Sequence, residues 1–234
     1  MKLSAPIYRL KRQAKILSRT KSLRLHEALD QIAIKEGFAS WSLLSANAAW
    51  ISPAKRLIAD FNNGELVLLG ARPGHGKTQL SLEIAVEAMT AGYRAVFFSL
   101  EYSKVDIHNL FERIGRDPAD YRDRFEYDTS DSICAEHIIG RLSKAPEGTV
   151  VIVDYLQLLD QDRTKPGLKE QIRVLKLFAK DRQIVMVFIS QIDRSFDLSN
   201  RSCPNLDDVR LPNPVDLSLF TKSCFLNNGE IHVS

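Results

Sequence analysis

The chain has 234 residues, 44% of them hydrophobic and 26% charged, which fits one substantial α/β domain with a short appendage rather than two full domains. No run of eighteen uncharged apolar residues occurs, which excludes a membrane-spanning helix, and the basic N-terminus lacks the apolar core and small-residue cleavage site of a secretory signal. Cys134, Cys203 and Cys224 are too few and too widely spaced for a disulfide framework or a metal knuckle, so a cytoplasmic location with buried or idle thiols is expected.

The net charge of +3 is unevenly distributed. Residues 1–24 hold eight of the 32 basic residues (Lys2, Arg9, Lys11, Arg12, Lys15, Arg19, Lys21, Arg24) and none of the 29 acidic ones, leaving 24 against 29, a balance of −5, for the remainder. The positive charge is therefore a local arm.

In chain order, Ile7, Leu10, Ala14 and Leu17 recur at helical spacing with basic residues between them. Leu25, Ala28, Leu29 and Ile32 predict a second helix over about Leu25–Ile34, broken by Gly37, and Ala39–Ala49 reads as a third. Pro53 and the polar run Asn62-Asn63-Gly64 set this region apart. Residues 1–52 are thus expected to form a basic helical extension and 53–234 the main domain.

From Glu65 onward, short apolar runs alternate with amphipathic segments. Strands are predicted at Leu66–Leu69, Ala95–Leu100, Phe125–Tyr127, Val150–Val153 and Ile184–Ile189, and helices at Thr78–Thr90, Lys104–Ile114, Ala135–Leu142 and Lys169–Lys180. Strands this apolar are buried on both faces, which implies a mainly parallel sheet covered by helices. Apolar runs follow at Leu217–Phe220, Cys224–Leu226 and Ile231–Val233. Asn228-Gly229 between the last two predicts a terminal antiparallel ribbon.

Ala71-Arg-Pro-Gly-His-Gly-Lys77-Thr78 follows a predicted strand and opens a predicted helix, the context a phosphate-binding loop requires. Gly74 and Gly76 would let backbone N–H groups turn toward phosphate oxygens, and the helix N-terminus would add donors and a favourable dipole. Arg72, Pro73, Gly74, His75, Gly76, Lys77, Thr78 and Gln79 are the candidate ATP-binding residues, with Lys77 reaching the β- and γ-phosphates and the Thr78 hydroxyl on Mg²⁺. The loop departs from the usual pattern in carrying Ala71 at its opening, with Gly70 just before. Val150-Val-Ile-Val-Asp154 ends an apolar strand in a carboxylate, the expected second partner of the Mg²⁺ hydration shell. The bland alternatives are a glycine turn and a helix-capping aspartate.

Taken together, the loop at 71–78, Phe98-Ser-Leu-Glu101, Val153-Asp-Tyr-Leu-Gln157 and Ser190-Gln-Ile-Asp-Arg194-Ser resemble, in order and spacing, the motifs of DnaB-type replicative helicases, members of the RecA-like branch of P-loop ATPases. The likeness runs from about Asn63 to Asp216. It implies an α/β RecA-like P-loop NTPase fold, with Glu101 as the general base and Gln191 as the γ-phosphate sensor beside Lys77. Arg194 matches the motif too, with a surface salt bridge as its bland alternative, and a nucleic-acid-facing loop is expected at about Phe196–Cys203, containing Arg201.

Three departures qualify the resemblance. The basic arm stands where the family's large N-terminal helical domain would be. The family's Lys and Arg that reach a neighbour's ATP site would fall at Lys222 and Cys224, so the arginine is missing there, with Arg210 or an arginine of the arm as the alternative. The expected DNA loop carries little positive charge. The arm, with Arg9, Lys11, Arg12 and Lys15, suits either phosphate contact or packing against a neighbouring subunit. The reading is a Mg²⁺-dependent ATPase resembling a helicase motor, acting on single-stranded DNA as a homo-oligomeric ring, a hexamer by resemblance. The alternative is an ATP-gated oligomeric regulatory or nucleic-acid-binding module that does not unwind. A RecA-like switch acting on protein partners is a third.

Overall fold

Alternation of strand-period and helix-period runs from Glu65 onward builds a layered α/β structure, seen here in a computed structural model. It describes residues 4, 7–21, 23–49, 52–160, 165–199, 201–210, 215–227 and 229–233, the side chains of 7–9, 47–49, 158 and 160 excepted. Asn228 of the predicted hairpin, Lys2 and the side chain of Arg9 lie outside these. Two compact units are present, residues 1–56 and 57–234.

In the first unit, α1 (Ile7–Thr20), α2 (Leu25–Lys35) and α3 (Trp41–Ala49) follow the predicted periodicity. Leu10 and Ala14 of α1, Ala28, Ile32 and Ala33 of α2 and Leu44 of α3 form a small core, with Leu17, Leu29, Phe38 and Trp41 packed against it. Asp30 accepts the Trp41 N–H at 2.7 Å at the start of α3. Lys11, Arg12 and Lys15 point to solvent from the opposite side of α1.

A fourth helix, α4 (Pro53–Asp60), spans the division between the units. Seven strands among the described residues then make one sheet: β1 (Leu66–Ala71), β2 (Ala95–Ser99), β3 (Phe125–Asp128), β4 (Val150–Asp154), β5 (Val185–Gln191), β6 (Lys222–Asn227) and β7 (Glu230–Val233). Their order is β3-β2-β4-β5-β1-β6-β7, parallel except for the β6–β7 ribbon. Residues of β1, β2, β4 and β5 are buried almost without exception, as expected of strands covered on both faces.

The connecting helices are α5 (Lys77–Thr90), α6 (Lys104–Arg113), α7 (Ala135–Leu142) and α8 (Leu168–Arg182). One sheet face, with Leu68, Phe98, Val153 and Phe188, packs against Ile138 and Leu142 of α7 and Ile172, Leu175 and Ala179 of α8. α5 lies against β1, β2, β4 and β5 and is buried along most of its length. Ser103 caps α6 by accepting the Asp106 N–H.

Candidate functional site

Parallel strands bring all their C-terminal ends to one edge, and in such sheets the crevice outside that edge is where ligands sit. β1 ends there at Ala71, and the chain turns through residues 72–76 into α5. Gly74 and Gly76 have φ of 80° and 81°, where a side chain would cost about 1–2 kcal/mol, and open space surrounds the position of a Cβ on either. Backbone N–H groups in such a turn, together with the unpaired ones opening α5, can converge on an anion. Gly70 has a different reason to be glycine. A Cβ there would stand 2.8 Å from the Phe225 ring and 3.0 Å from Ile192, so it serves strand packing.

Lys77 and Thr78 open α5. The Thr78 hydroxyl is buried and donates to Oδ2 of Asp154, the last residue of β4, at 2.9 Å. Donation in that direction leaves the hydroxyl oxygen to accept: the Tyr102 hydroxyl approaches one lone pair at 3.5 Å, and the other is open. The second carboxylate oxygen, Oδ1, is buried and has no hydrogen-bond partner. Burial is the main cause that pushes the Asp154 carboxyl up to about 6. The Lys77 charge and the Thr78 hydrogen bond oppose it, and the Glu101 carboxylate adds to it. An unpartnered buried oxygen beside a hydroxyl with an open lone pair is a donor set that fits a hard divalent cation.

Glu101 lies exposed just past β2, its N–H donating to Ser99 Oγ at 3.1 Å, and Ser99 is in register with Asp154. Gln191 ends β5, in register with Ala71. The two strand tips are joined by the Ile192 N–H donating to Ala71 O at 3.1 Å, and the Gln191 carbonyl accepts the Arg210 N–H at 2.8 Å. Lys77, Thr78, Asp154, Glu101 and Gln191 therefore lie along one edge.

The remaining loop residues divide. Pro73 and Gln79 are exposed, and the Gln79 amide donates to Glu83 at 2.9 Å. His75 donates its N–H to Arg72 O at 3.2 Å, and its buried Nδ1 has no partner. Arg72 turns its guanidinium inward to the protein, donating to Ile192 O at 3.0 Å and through Nε to Asp197 Oδ1 at 3.0 Å, while Nη2 pairs with Asp197 Oδ2.

Of the candidate nucleic-acid contacts, Arg194 is exposed at the start of a 3₁₀ turn, Arg194–Leu198. Arg201 instead pairs with the buried Asp208 and lies 5.6 Å over the Phe196 ring. Of the places expected for the cross-subunit cations, one is half-buried and the other lies in the core. Lys222 opens β6 opposite Val67, at the end of the sheet away from Ala71. Its ammonium is held by Asp60 at 3.4 Å and Glu65 at 3.3 Å. Cys224 lies opposite Leu69 in the core, its thiol pushed up to about 12 chiefly by burial.

Sequence reasoning does not single out four further contributors. Ser99 holds the Glu101 backbone. Tyr102 brings its hydroxyl 3.5 Å from Thr78 Oγ1. The Gln157 amide donates to Ser190 Oγ at 3.3 Å and to Arg210 O. Asp197 pairs with Arg72. Ser99 lies within, Gln157 ends and Tyr102 adjoins the quoted motifs, a signal that could draw attention to them; Asp197 lies in the loop expected at Phe196–Cys203, but nothing in the sequence points to its pairing with Arg72.

Comparison with known proteins gives this geometry a family. The profile described as DnaB-like helicase C terminal domain matches residues 52–114 and 128–215. The replicative DNA helicase DnaB of Helicobacter pylori is 28% identical over 182 residues, covering 64% of this chain and 37% of that protein. That of Mycoplasma pneumoniae is 26% identical over 198 residues, covering 68% and 41%. The chain thus spans about two fifths of the length of these curated relatives. Among solved structures, one described as an ATPase domain superposes with a TM-score of 0.54 at 21% identity, over 72% of this chain and 76% of that one. A DnaB-like replicative helicase, described with its interactions with primase, gives 0.58 at 14% over 97% and 72%. These superpositions show a RecA-like fold, and the profile match makes the chain a member of the DnaB-like helicase C-terminal domain family.

Proposed function

We propose that the chain is a Mg²⁺-dependent ATPase working as the motor of a replicative-type DNA helicase, cytoplasmic, on single-stranded DNA, as a homo-oligomeric ring. Residues 53–234 form its ATPase domain and 1–52 its basic extension. The observation that carries this reading is the buried Thr78–Asp154 pair, with Asp154 Oδ1 unpartnered, at the helix opening that follows two left-handed glycines.

In this reading residues 72–79 wrap the triphosphate, with Lys77 on its β- and γ-phosphates. Thr78 and Asp154 would hold Mg²⁺, which when bound neutralises charge on the phosphate oxygens. Glu101 orients the attacking water and takes its proton as the γ-phosphate leaves. Gln191 donates its amide to the γ-phosphate and lets go after hydrolysis, and the loop beyond it responds. Arg194, Arg201 and the arm residues Arg9, Lys11, Arg12 and Lys15 are the proposed nucleic-acid contacts.

Two observations favour a second reading, an ATP-gated oligomeric module without unwinding activity. Arg201, the cation of the expected DNA loop, is engaged by Asp208 and Phe196, and no arginine stands at 222 or 224. Steady-state phosphate release with and without single-stranded DNA separates the two. The motor reading expects strong stimulation that disappears in Glu101→Gln. Nucleotide-dependent assembly without stimulation supports the module. Absence of Mg·ATP binding, or binding unchanged in Lys77→Ala, refutes both.

A further inference from the structure

The side chain of Arg72 leaves the phosphate loop and reaches across to the segment after β5. That segment is organised as a stem and a loop. Ile192 bridges Val209, the Asp193 N–H donates to Asp208 O at 2.7 Å, and the Arg210 N–H donates to Gln191 O at 2.8 Å. Residues 191–193 and 208–210 thus form a closed stem starting at the proposed sensor. Beyond it the 3₁₀ turn Arg194–Leu198 is tied as a unit, with Asp193 Oδ1 accepting the Ser195 N–H at 2.8 Å. Leu198 at the end of the turn is 90% exposed. The far half of the loop is tied to β6 and to the stem: Asn227 Nδ2 donates to Ser202 O at 2.9 Å, and Arg201 pairs with Asp208.

The near half is held from the phosphate loop, and Arg72 holds it at two points. One is the carbonyl of Ile192, the residue directly after Gln191, and the other is both oxygens of Asp197. A guanidinium is a rigid planar fork, and a bidentate carboxylate fixes its orientation as well as its distance. The Arg72 side chain is only 13% exposed, whereas that of Asp197 is 56% exposed. The fork is therefore fixed at the phosphate-loop end and reaches out to a surface turn. A backbone shift at Arg72 when the loop closes on phosphates would be passed to Ile192 and Asp197 together.

We propose that Arg72 is a positioning residue that couples the phosphate loop to the 194–198 turn through Asp197, so that nucleotide binding orders this turn and fixes how Leu198 is presented at the surface. This rests on the nucleotide-binding reading of residues 72–79.

Hydrogen–deuterium exchange on the full chain, with and without Mg²⁺ and ATPγS, tests it. In the wild type, nucleotide is expected to slow exchange both in 72–79 and in 192–199, the latter by about fivefold or more, the lower end of usual coupling between sites. In Asp197→Asn the slowing in 72–79 remains and that in 192–199 is lost, while Asp197→Glu, which keeps the carboxylate, retains it. A purely structural tie would raise exchange in 192–199 in both states and leave the nucleotide-induced difference intact, and that result overturns the proposal. If the wild type shows no slowing in 72–79, the nucleotide reading itself has failed. If 72–79 responds and 192–199 does not, only the coupling has failed.

Discussion

The hydroxyl of Thr78 donates a hydrogen bond to Asp154 across 76 positions of sequence, and the carboxylate's other oxygen is buried with no hydrogen-bond partner. Buried polar atoms are nearly always satisfied, and this left-over oxygen is where the proposed cation would find its ligand. Asp154→Asn keeps the shape and removes the charge. ATP turnover is expected to fall by about 10²–10³-fold, the usual cost of deleting one electrostatic element at a reacting centre. Calorimetric titration with ATPγS provides the sharper measure. Wild-type affinity should drop when Mg²⁺ is chelated, whereas Asp154→Asn should be insensitive to chelation. Equal Mg²⁺ dependence in both proteins would remove Asp154 from the metal site.

Gly70 and Gly74 are close in sequence and are predicted to fail differently. Gly70→Ala pushes a methyl group to within 2.8 Å of the Phe225 ring, an overpacking that costs about 1–3 kcal/mol. Gly74→Ala meets no neighbour but forces an L residue to φ of 80° in the phosphate loop. Thermal denaturation with and without nucleotide should show Gly70→Ala with a lowered midpoint and a preserved ligand-induced rise. Gly74→Ala should show a small loss of stability and a diminished rise. Reversal of that pattern would mean that Gly70, not Gly74, shapes the cradle.

The sheet and the phosphate loop are legible in the sequence because each rests on local signals. Apolar runs of strand length locate β1 to β5 to within a residue or two, and the loop's glycines announce their own conformation. α4 escapes such a reading because Pro53 looks like a breaker. It is in fact the first residue of a helix, where its fixed φ is an asset, and Ser52 Oγ accepts the Lys55 N–H at 3.0 Å just before it. The pairing of Arg72 with Asp197 spans 125 positions, and no periodicity reports a contact of that kind. Likewise Lys222 looks free in sequence, and only the parallel register of β6 on β1 brings it to Glu65.

Asp128 sets an acid limit on stability. It ends β3 with its side chain 10% exposed. Burial acts to raise its pKa, but the Ser130 N–H, His137 at 2.9 Å and the Arg141 guanidinium outweigh that and hold the carboxyl below its ordinary value of 3.8. A depressed folded-state pKa means that the native state binds the proton less readily than the unfolded chain. The stabilisation is complete above the unfolded value and is lost as pH falls through the folded one. Asp128→Asn should cost about 1–3 kcal/mol at neutral pH and flatten the decline in stability below about pH 4. An unchanged acid limb in urea titrations at several pH values would contradict the assignment.

Arg194 and Arg201 belong to the same loop but should behave unlike one another. Arg201→Ala strands the carboxylate of Asp208, which is 7% exposed, so its main effect should be on the stability of the loop and only secondarily on binding. Arg194→Ala removes an exposed charge, leaves the fold alone and should weaken single-stranded DNA binding while lowering the salt slope by about 0.7. If Arg201→Ala reduces the slope with no loss of stability, its pairing with Asp208 gives way to nucleic acid.

The arm requires a test that leaves its core intact. Leu10 and Ala14 of α1 are fully buried against α2 and α3, so deleting residues 1–24 would uncover an apolar face as well as remove charge. Lys11, Arg12 and Lys15 are exposed, and replacing all three with Gln changes charge alone. If all three neutralise phosphates, the slope of log affinity against log salt for a single strand should fall by about 2, at about 0.7 per contact. Helical content and thermal stability should be unchanged. An unaltered slope would assign the basic side of α1 to solvent, and a change in assembly state with an unaltered slope would assign it to a neighbouring subunit.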